Sequence, residues 1–118
     1  MGLFTSLVLQ NPGGTKAMDD AAELILILEK VWGLKLEFRT TALQFLKNRE
    51  IEFCYNLYLP NGDQYIESLD SYVMDKCVKK VIEYMSGRRI TTSKCIIELP
   101  VFSTVSELKM KMAISGKY

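Results

Sequence analysis

The chain has 118 residues, 48% of them hydrophobic and 25% charged, with a formal net charge of +1. That length suits one domain-sized core, and that composition excludes a disordered, collagen-like or low-complexity chain. The near-neutral balance supplies no whole-molecule field toward nucleic acid or acidic lipid, and the absence of histidine removes the commonest metal ligand and the usual general base.

Residues 1–10 read as an arm or edge strand, and Asn11-Pro12-Gly13-Gly14 breaks the chain after it. The opening Met1-Gly2-Leu3-Phe4-Thr5-Ser6 fits the N-myristoylation pattern at Gly2. Membrane association enters only by that route, because the longest apolar run, Leu24 to Leu28, is far short of the roughly 20 residues a span needs. No positive charge precedes the N-terminal apolar residues, so a secretory signal is not expected.

Residues 17–32 read as a helix. Asp19 and Asp20 are expected in its first turn and Gly33 at its stop. Ala21, Leu24, Ile25, Leu28, Val31 and Trp32 share one stripe, with Asp19, Glu23 and Lys30 opposite. Leu26 and Ile27 flank the charged strip and are candidate partner-binding residues.

Two period-two segments follow. Leu34, Leu36 and Phe38 alternate with charged residues, and Ile51, Phe53, Tyr55, Leu57 and Leu59 alternate with Glu52, Cys54, Asn56 and Tyr58. Both read as half-buried antiparallel strands, and residues 40–48 between them fit one or two helical turns. Pro60-Asn61-Gly62-Asp63 reads as a hairpin turn, with Asn61 and Gly62 in the positive-φ positions of a type I′ turn. It pairs 51–59 with a short strand at 64–67.

A second helix is expected over 69–86, burying Met74, Val78, Val81, Ile82 and Met85, with Lys76, Lys79, Lys80 and Glu83 outside. Gly87 stops it and Arg88 and Arg89 lie past its carbonyl end. Residues 90–99 read as a strand with Cys95, Ile97 and Leu99 facing the core. Residues 104–114 alternate like a strand, but Thr104-x-x-Glu107 is a capping box and Gly116 a stop; helix is the preferred reading. The expected fold is a single α+β domain over 1–118: a mostly antiparallel sheet of four or five strands with two or three helices packed on one face.

Chemistry-bearing motifs are sparse. Cys54, Cys77 and Cys95 form no C-x-x-C pair, and an odd count of what read as buried small hydrophobes suits a reducing, cytoplasmic setting. Gly13-Gly14-Thr15-Lys16 has the wrong order for a phosphate-binding P-loop. Asp19 and Asp20 point about 100° apart on a helix and cannot share one proton. No catalytic, metal or cofactor residues are assigned.

Charge is segregated along the chain. Residues 51–75 carry five acidic and no basic residues, whereas 76–118 carry nine basic and three acidic ones. Lys76, Lys79, Lys80, Arg88, Arg89 and Lys94 are the candidate basic contact residues. The segregated charge makes a bipolar surface, which suits head-to-tail self-association or a partner with a matching dipole. As a nucleic-acid footprint the basic residues would have Tyr84 as their one interleaved aromatic, where stacking platforms use several.

One family resemblance is present. Ile82-Glu83-Tyr84-Met85-Ser86-Gly87, Thr92-Ser93, Leu99-Pro100-Val101-Phe102 and Leu108-x-x-Lys111-Met112 are together similar to segments of the C-terminal lobe of HECT-type ubiquitin ligases. Ser93 stands where the family has its thioester cysteine, and Cys95 follows two residues later. The resemblance implies a remnant of that lobe. The residues themselves point first to a small intracellular, non-enzymatic protein-interaction module: an adaptor, an inhibitor, a viral or host accessory factor, or an assembly subunit. Homodimerisation is one way to cover its apolar surface.

Overall fold

The computed structural model describes residues 15–40 and 52–118. The expectations for 1–14, including Gly2, for the helical turns at 40–48 beyond Thr40, which is a strand residue, and for Ile51 lie outside the described residues. Eight elements run in the order α1 (Thr15–Trp32), β1 (Lys35–Thr40), β2 (Phe53–Tyr58), β3 (Gln64–Glu67), α2 (Met74–Met85), β4 (Arg89–Thr91), β5 (Ile96–Glu98) and α3 (Val105–Ile114). The fold is α+β. Its strands form two antiparallel sheets, β1-β2-β3 and β4-β5, in place of the one sheet of four or five strands expected.

Helix α1 begins earlier than expected, so its first turn holds no acidic residue. Asp20 instead sits one turn in, beside Lys16 Nζ at 3.4 Å. Met18, Ala21, Leu24, Ile27 and Leu28 are its buried positions, while Ile25, Val31 and Trp32 are only partly covered. The buried stripe is thus rotated from the one expected. The cause is tertiary: α1 packs against β1, α2 and α3 at once, so it needs a wide apolar arc. Fully burying leucine- or isoleucine-sized side chains contributes roughly 1.5–3 kcal/mol each.

The three-stranded sheet pairs Leu36 with Leu57 and Phe38 with Tyr55, which puts the apolar set of both strands on one face. Asn56, expected on the open face of β2, is also buried. β2 is the central strand, flanked by β1 and β3. Turned so that its oxygen accepts from Arg39 Nε at 3.2 Å and its nitrogen donates to the Tyr55 carbonyl at 3.2 Å, the Asn56 amide is satisfied, as a buried amide must be.

The β2–β3 turn differs in kind from the expected type I′. The Gly62 N–H donates to the Leu59 carbonyl at 2.8 Å, which makes Pro60 and Asn61 the central residues, and Gly62 follows at φ +93°. This is a type I turn with a left-handed glycine after it. Proline's fixed φ suits the second position of such a turn and displaces Asn61 from the place a type I′ turn would give it. The ladder then slips one residue between Leu57 and Tyr58.

Residues 69–73 do not continue α2 backwards. Tyr72 exchanges both backbone hydrogen bonds with Phe53, at 2.6 and 2.8 Å, and extends the sheet instead. Helix α2 buries Met74, Cys77, Val78, Val81, Ile82 and Met85 and packs on α1 and β2. The expected single strand at 90–99 is a hairpin. The Thr92 hydroxyl accepts N–H bonds from Lys94 at 3.3 Å and Cys95 at 3.0 Å, a side-chain-closed turn. The turn reverses the chain and leaves Cys95 exposed, whereas Ile97 and Leu99 are buried as expected.

Residues 105–114 are helical. Thr104 Oγ1 accepts from the Glu107 N–H at 3.0 Å, and Glu107 Oε1 accepts from the Ser103 N–H at 2.6 Å. At the other end Gly116, at φ +75°, lets its own N–H reach the Ala113 carbonyl at 3.1 Å while the Lys117 N–H reaches that of Met112 at 2.9 Å, closing a Schellman motif. Replacing Thr104 with alanine should cost about 1 kcal/mol in urea unfolding, and Thr104→Ser should retain most of it. Equal losses in the two variants would show that the hydroxyl cap is not what starts α3.

Candidate protein-binding surfaces

The α2 outer face carries exposed Lys76, Lys79, Lys80 and Glu83. Lys80 Nζ lies 3.9 Å from Glu83 Oε2, and among the described residues no ion pair includes Lys76 or Lys79. The remaining basic candidates do other work. Arg88 Nε donates to the Tyr84 carbonyl at 3.0 Å, and its guanidinium lies 3.9 Å from the Tyr84 ring centroid. It therefore caps the carbonyl end of α2 and covers one face of that ring. Arg89 pairs with Glu98 across the β4–β5 hairpin at 3.3 Å. Lys94 lies in the β4–β5 turn, beside the β2–β3 turn at a small pocket of about 60 Å³ lined also by Leu59, Pro60 and Asn61. The candidate patch over 76–94 thus divides into an α2 face, two engaged arginines and a separate turn lysine.

Tyr65 is brought beside Tyr84, with ring centroids 6.4 Å apart at 68°. This second aromatic near the basic residues was not legible in the sequence, because strand β3 and helix α2 meet only in three dimensions. Burial and the neighbouring Tyr65 raise the Tyr84 hydroxyl above its ordinary pKa, partly opposed by Arg88.

Leu26 and Ile27 separate. Leu26 is 53% exposed and remains a candidate contact residue. Ile27 is fully buried in the core and is corrected from a contact residue to a packing residue. Helix α3 also has apolar residues on two sides. Val105, Leu108 and Met112 face inward, while Met110 and Ile114 are 57% and 80% exposed. The sequence reading missed these two. Their signal was the unbroken period-two run Leu108, Met110, Met112 and Ile114, which on a helix cannot all lie on one face.

A third surface forms where the end of α1, strand β5 and the C-terminal residues meet. Lys30, Val31, Trp32, Ile96, Glu98 and Lys117 line an open groove of about 550 Å³. Its flank is held by Glu23, whose Oε1 accepts from Lys109 Nζ at 2.9 Å and from the Tyr118 hydroxyl at 3.1 Å. Lys30 Nζ lies 5.1 Å from the Tyr118 ring centroid. The Lys109 hydrogen bond, helped by Tyr118, holds the Glu23 carboxyl below its ordinary value of 4.5 against the opposing effect of burial.

Among the described residues no cluster of three His, Cys, Asp or Glu side chains is arranged to hold a metal ion, and no helix is long and apolar enough to cross a membrane. Of the cysteines, Cys77 alone is buried; Cys54 is half-buried, and its thiol donates to the Arg39 carbonyl at 3.8 Å. Burial, helped by Cys54, pushes the Cys77 thiol up to about 12, so it is held neutral. Ser93 and Cys95, the pair in question in the HECT-type resemblance, both lie exposed at the β4–β5 turn. No protein-family model matches the chain, and neither any curated protein nor any solved structure matches it.

Two outcomes follow from this geometry. In native protein at pH 8, a thiol reagent should modify Cys95 first and Cys77 only on unfolding, read by peptide mass mapping; equal rates at the two would refute the burial of Cys77. Glu23→Gln should lower the melting temperature at neutral pH. A carboxylate whose pKa is lowered on folding stabilises above its unfolded pKa and loses that contribution as pH falls through the folded one. The gap between wild type and variant should therefore narrow as pH falls below the ordinary Glu value of about 4.3, and a gap that does not narrow in acid would assign the effect to packing.

Proposed function

We propose that the chain is a non-enzymatic protein-interaction module that docks an acidic partner through the outer face of α2. One observation carries this reading: Lys76 and Lys79 are exposed on a rigid helix whose other face is locked into the core, and among the described residues no carboxylate pairs with them. Unpaired ammonium groups on a fixed scaffold steer an oppositely charged partner and set its register without an ordering cost in the scaffold. The exposed Cys95 thiol agrees with a reducing, cytoplasmic setting.

Nucleic acid is the competing reading of the same residues. It is weakened by Arg88, which already occupies one face of Tyr84, because a stacking platform needs the ring face open to a base. The ubiquitin-ligase reading rests on the sequence resemblance alone.

The test uses the full chain as bait in its native source, with Lys76→Glu/Lys79→Glu as the comparison and circular dichroism confirming that both fold alike. An acidic partner should be retained by the wild type and lost, by about tenfold or more, from the variant. Equal retention by both baits refutes the α2 face. Saturable binding of a single-stranded oligonucleotide, falling steeply with salt and lost in the same variant, would replace the protein reading by the nucleic-acid one.

A further inference from the structure

The hydrogen bonds of the β4–β5 hairpin decide which backbone groups of β5 remain unused. The Leu99 N–H donates to the Arg88 carbonyl at 2.9 Å, and the Thr92 N–H donates to the Cys95 carbonyl at 2.9 Å. Opposed residues in an antiparallel pair alternate between bonded and non-bonded. In the register Arg89↔Glu98, Ile90↔Ile97, Thr91↔Ile96, the bonded pair is therefore Ile90 with Ile97. The N–H and C=O groups of Ile96 and Glu98 point away from β4, and among the described residues no other strand pairs with β5. Both residues are exposed. The result is a short sheet edge offering two donors and two acceptors at the alternate-residue spacing of an extended chain.

Chemistry beside that edge selects among occupants. The groove that Ile96 and Glu98 line is bounded also by Trp32, Lys30 and Lys117. Glu98 is already paired with Arg89 at 3.3 Å, so the free charge of the groove is positive. Ile96, 53% exposed, and Trp32 supply apolar contact. A second copy of this chain would bring its own lysines against these, which like-charge repulsion disfavours. Residues 1–14 contain no acidic side chain, and residues 41–51 contain one, Glu50, beside Lys47 and Arg49.

We propose that β5 is a docking edge for an extended acidic segment of another protein, which adds to it as an antiparallel or parallel strand. The segment's backbone bonds Ile96 and Glu98, its carboxylates meet Lys30 and Lys117, and an apolar side chain of the segment covers Ile96 and Trp32. This is strand addition, in which the backbone supplies affinity and the flanking side chains supply selectivity. It rests on the protein-binding reading for the class of partner, but not on the α2 face.

Trp32 is the single tryptophan, so its emission reports on the groove directly. The probe is a capped peptide of about eight residues alternating Glu and Val, titrated into the full chain beside a Lys–Val counterpart and a Glu–Val version N-methylated along one edge. The Glu–Val peptide should shift the emission saturably and slow hydrogen exchange at the amides of Ile96 and Glu98. The Lys–Val peptide, the N-methylated peptide and the Lys30→Glu/Lys117→Glu chain should each bind about tenfold more weakly or worse. The Lys76→Glu/Lys79→Glu chain should bind the peptide as the wild type does, which separates a failure of this edge from a failure of the α2 face. The proposal is overturned by any of four results: no saturable shift, indifference to N-methylation, amides of Ile96 and Glu98 already protected in the free chain, or protection that rises with protein concentration.

Discussion

The burial of Leu24, Ile27 and Leu28 joins the molecule together. Helix α1 is the one described element that touches β1, α2 and α3, and all three side chains are fully buried. Ala21, also fully buried, keeps the helix slim enough for neighbours to approach. At its end the Gly33 N–H bonds the Glu29 carbonyl at 2.8 Å and the Leu34 N–H that of Leu28 at 3.1 Å, so those two carbonyls are satisfied as the chain turns into β1. Take this helix away and the three-stranded sheet loses one of its two covering helices, while α3 loses the helix it packs against.

The same packing sets what each surface can do. Because α1 lies on the inner side of α2, the α2 lysines face outward on a helix that cannot rotate. Because α3 is pinned to α1 through Glu23, Lys109 and Tyr118, the C-terminal residues come beside Lys30 and form one wall of the β5 groove. Many charges are committed locally: Lys16 to Asp20, Arg89 to Glu98, Lys109 to Glu23, Lys111 near Glu107. Exposed pairs of this kind contribute little to stability, roughly 0–1 kcal/mol each. Their larger effect is on the surface, where among the described residues Lys76, Lys79, Lys94 and the groove lysines are in no such pair.

Local chemistry explains where the reading of the chain met the structure. Thr104 and Glu107 carry a capping box that needs only four neighbouring residues, so α3 could be distinguished from a strand. Gly116, and the apolar spacing Met74, Val78, Val81, Ile82 and Met85, were equally legible, because each depends on helical geometry alone. Leu26 and Ile27 were not. They are adjacent and equally apolar, and only the presence of helices on two sides of α1 decides that Ile27 goes in and Leu26 stays out. The hairpin at 89–98 was hidden for a related reason: Thr-Ser-Lys-Cys is a weak turn sequence, closed here by the Thr92 hydroxyl.

The amino-acid sequence by itself determined the α+β class, three of the helical spans to within a few residues apart from the start of α2, the β2–β3 hairpin and the segregation of charge, since each follows from periodicity, turn residues or counting within short windows. Tertiary structure alone decided that the strands divide into two sheets, that Tyr65 meets Tyr84, and that Arg88 and Arg89 are engaged while, among the described residues, Lys76 and Lys79 are in no ion pair. It also brought Trp32, Ile96 and Lys117 to one groove. Those outcomes depend on which faces of distant segments are pressed together, and burial of apolar area is indifferent to separation along the chain.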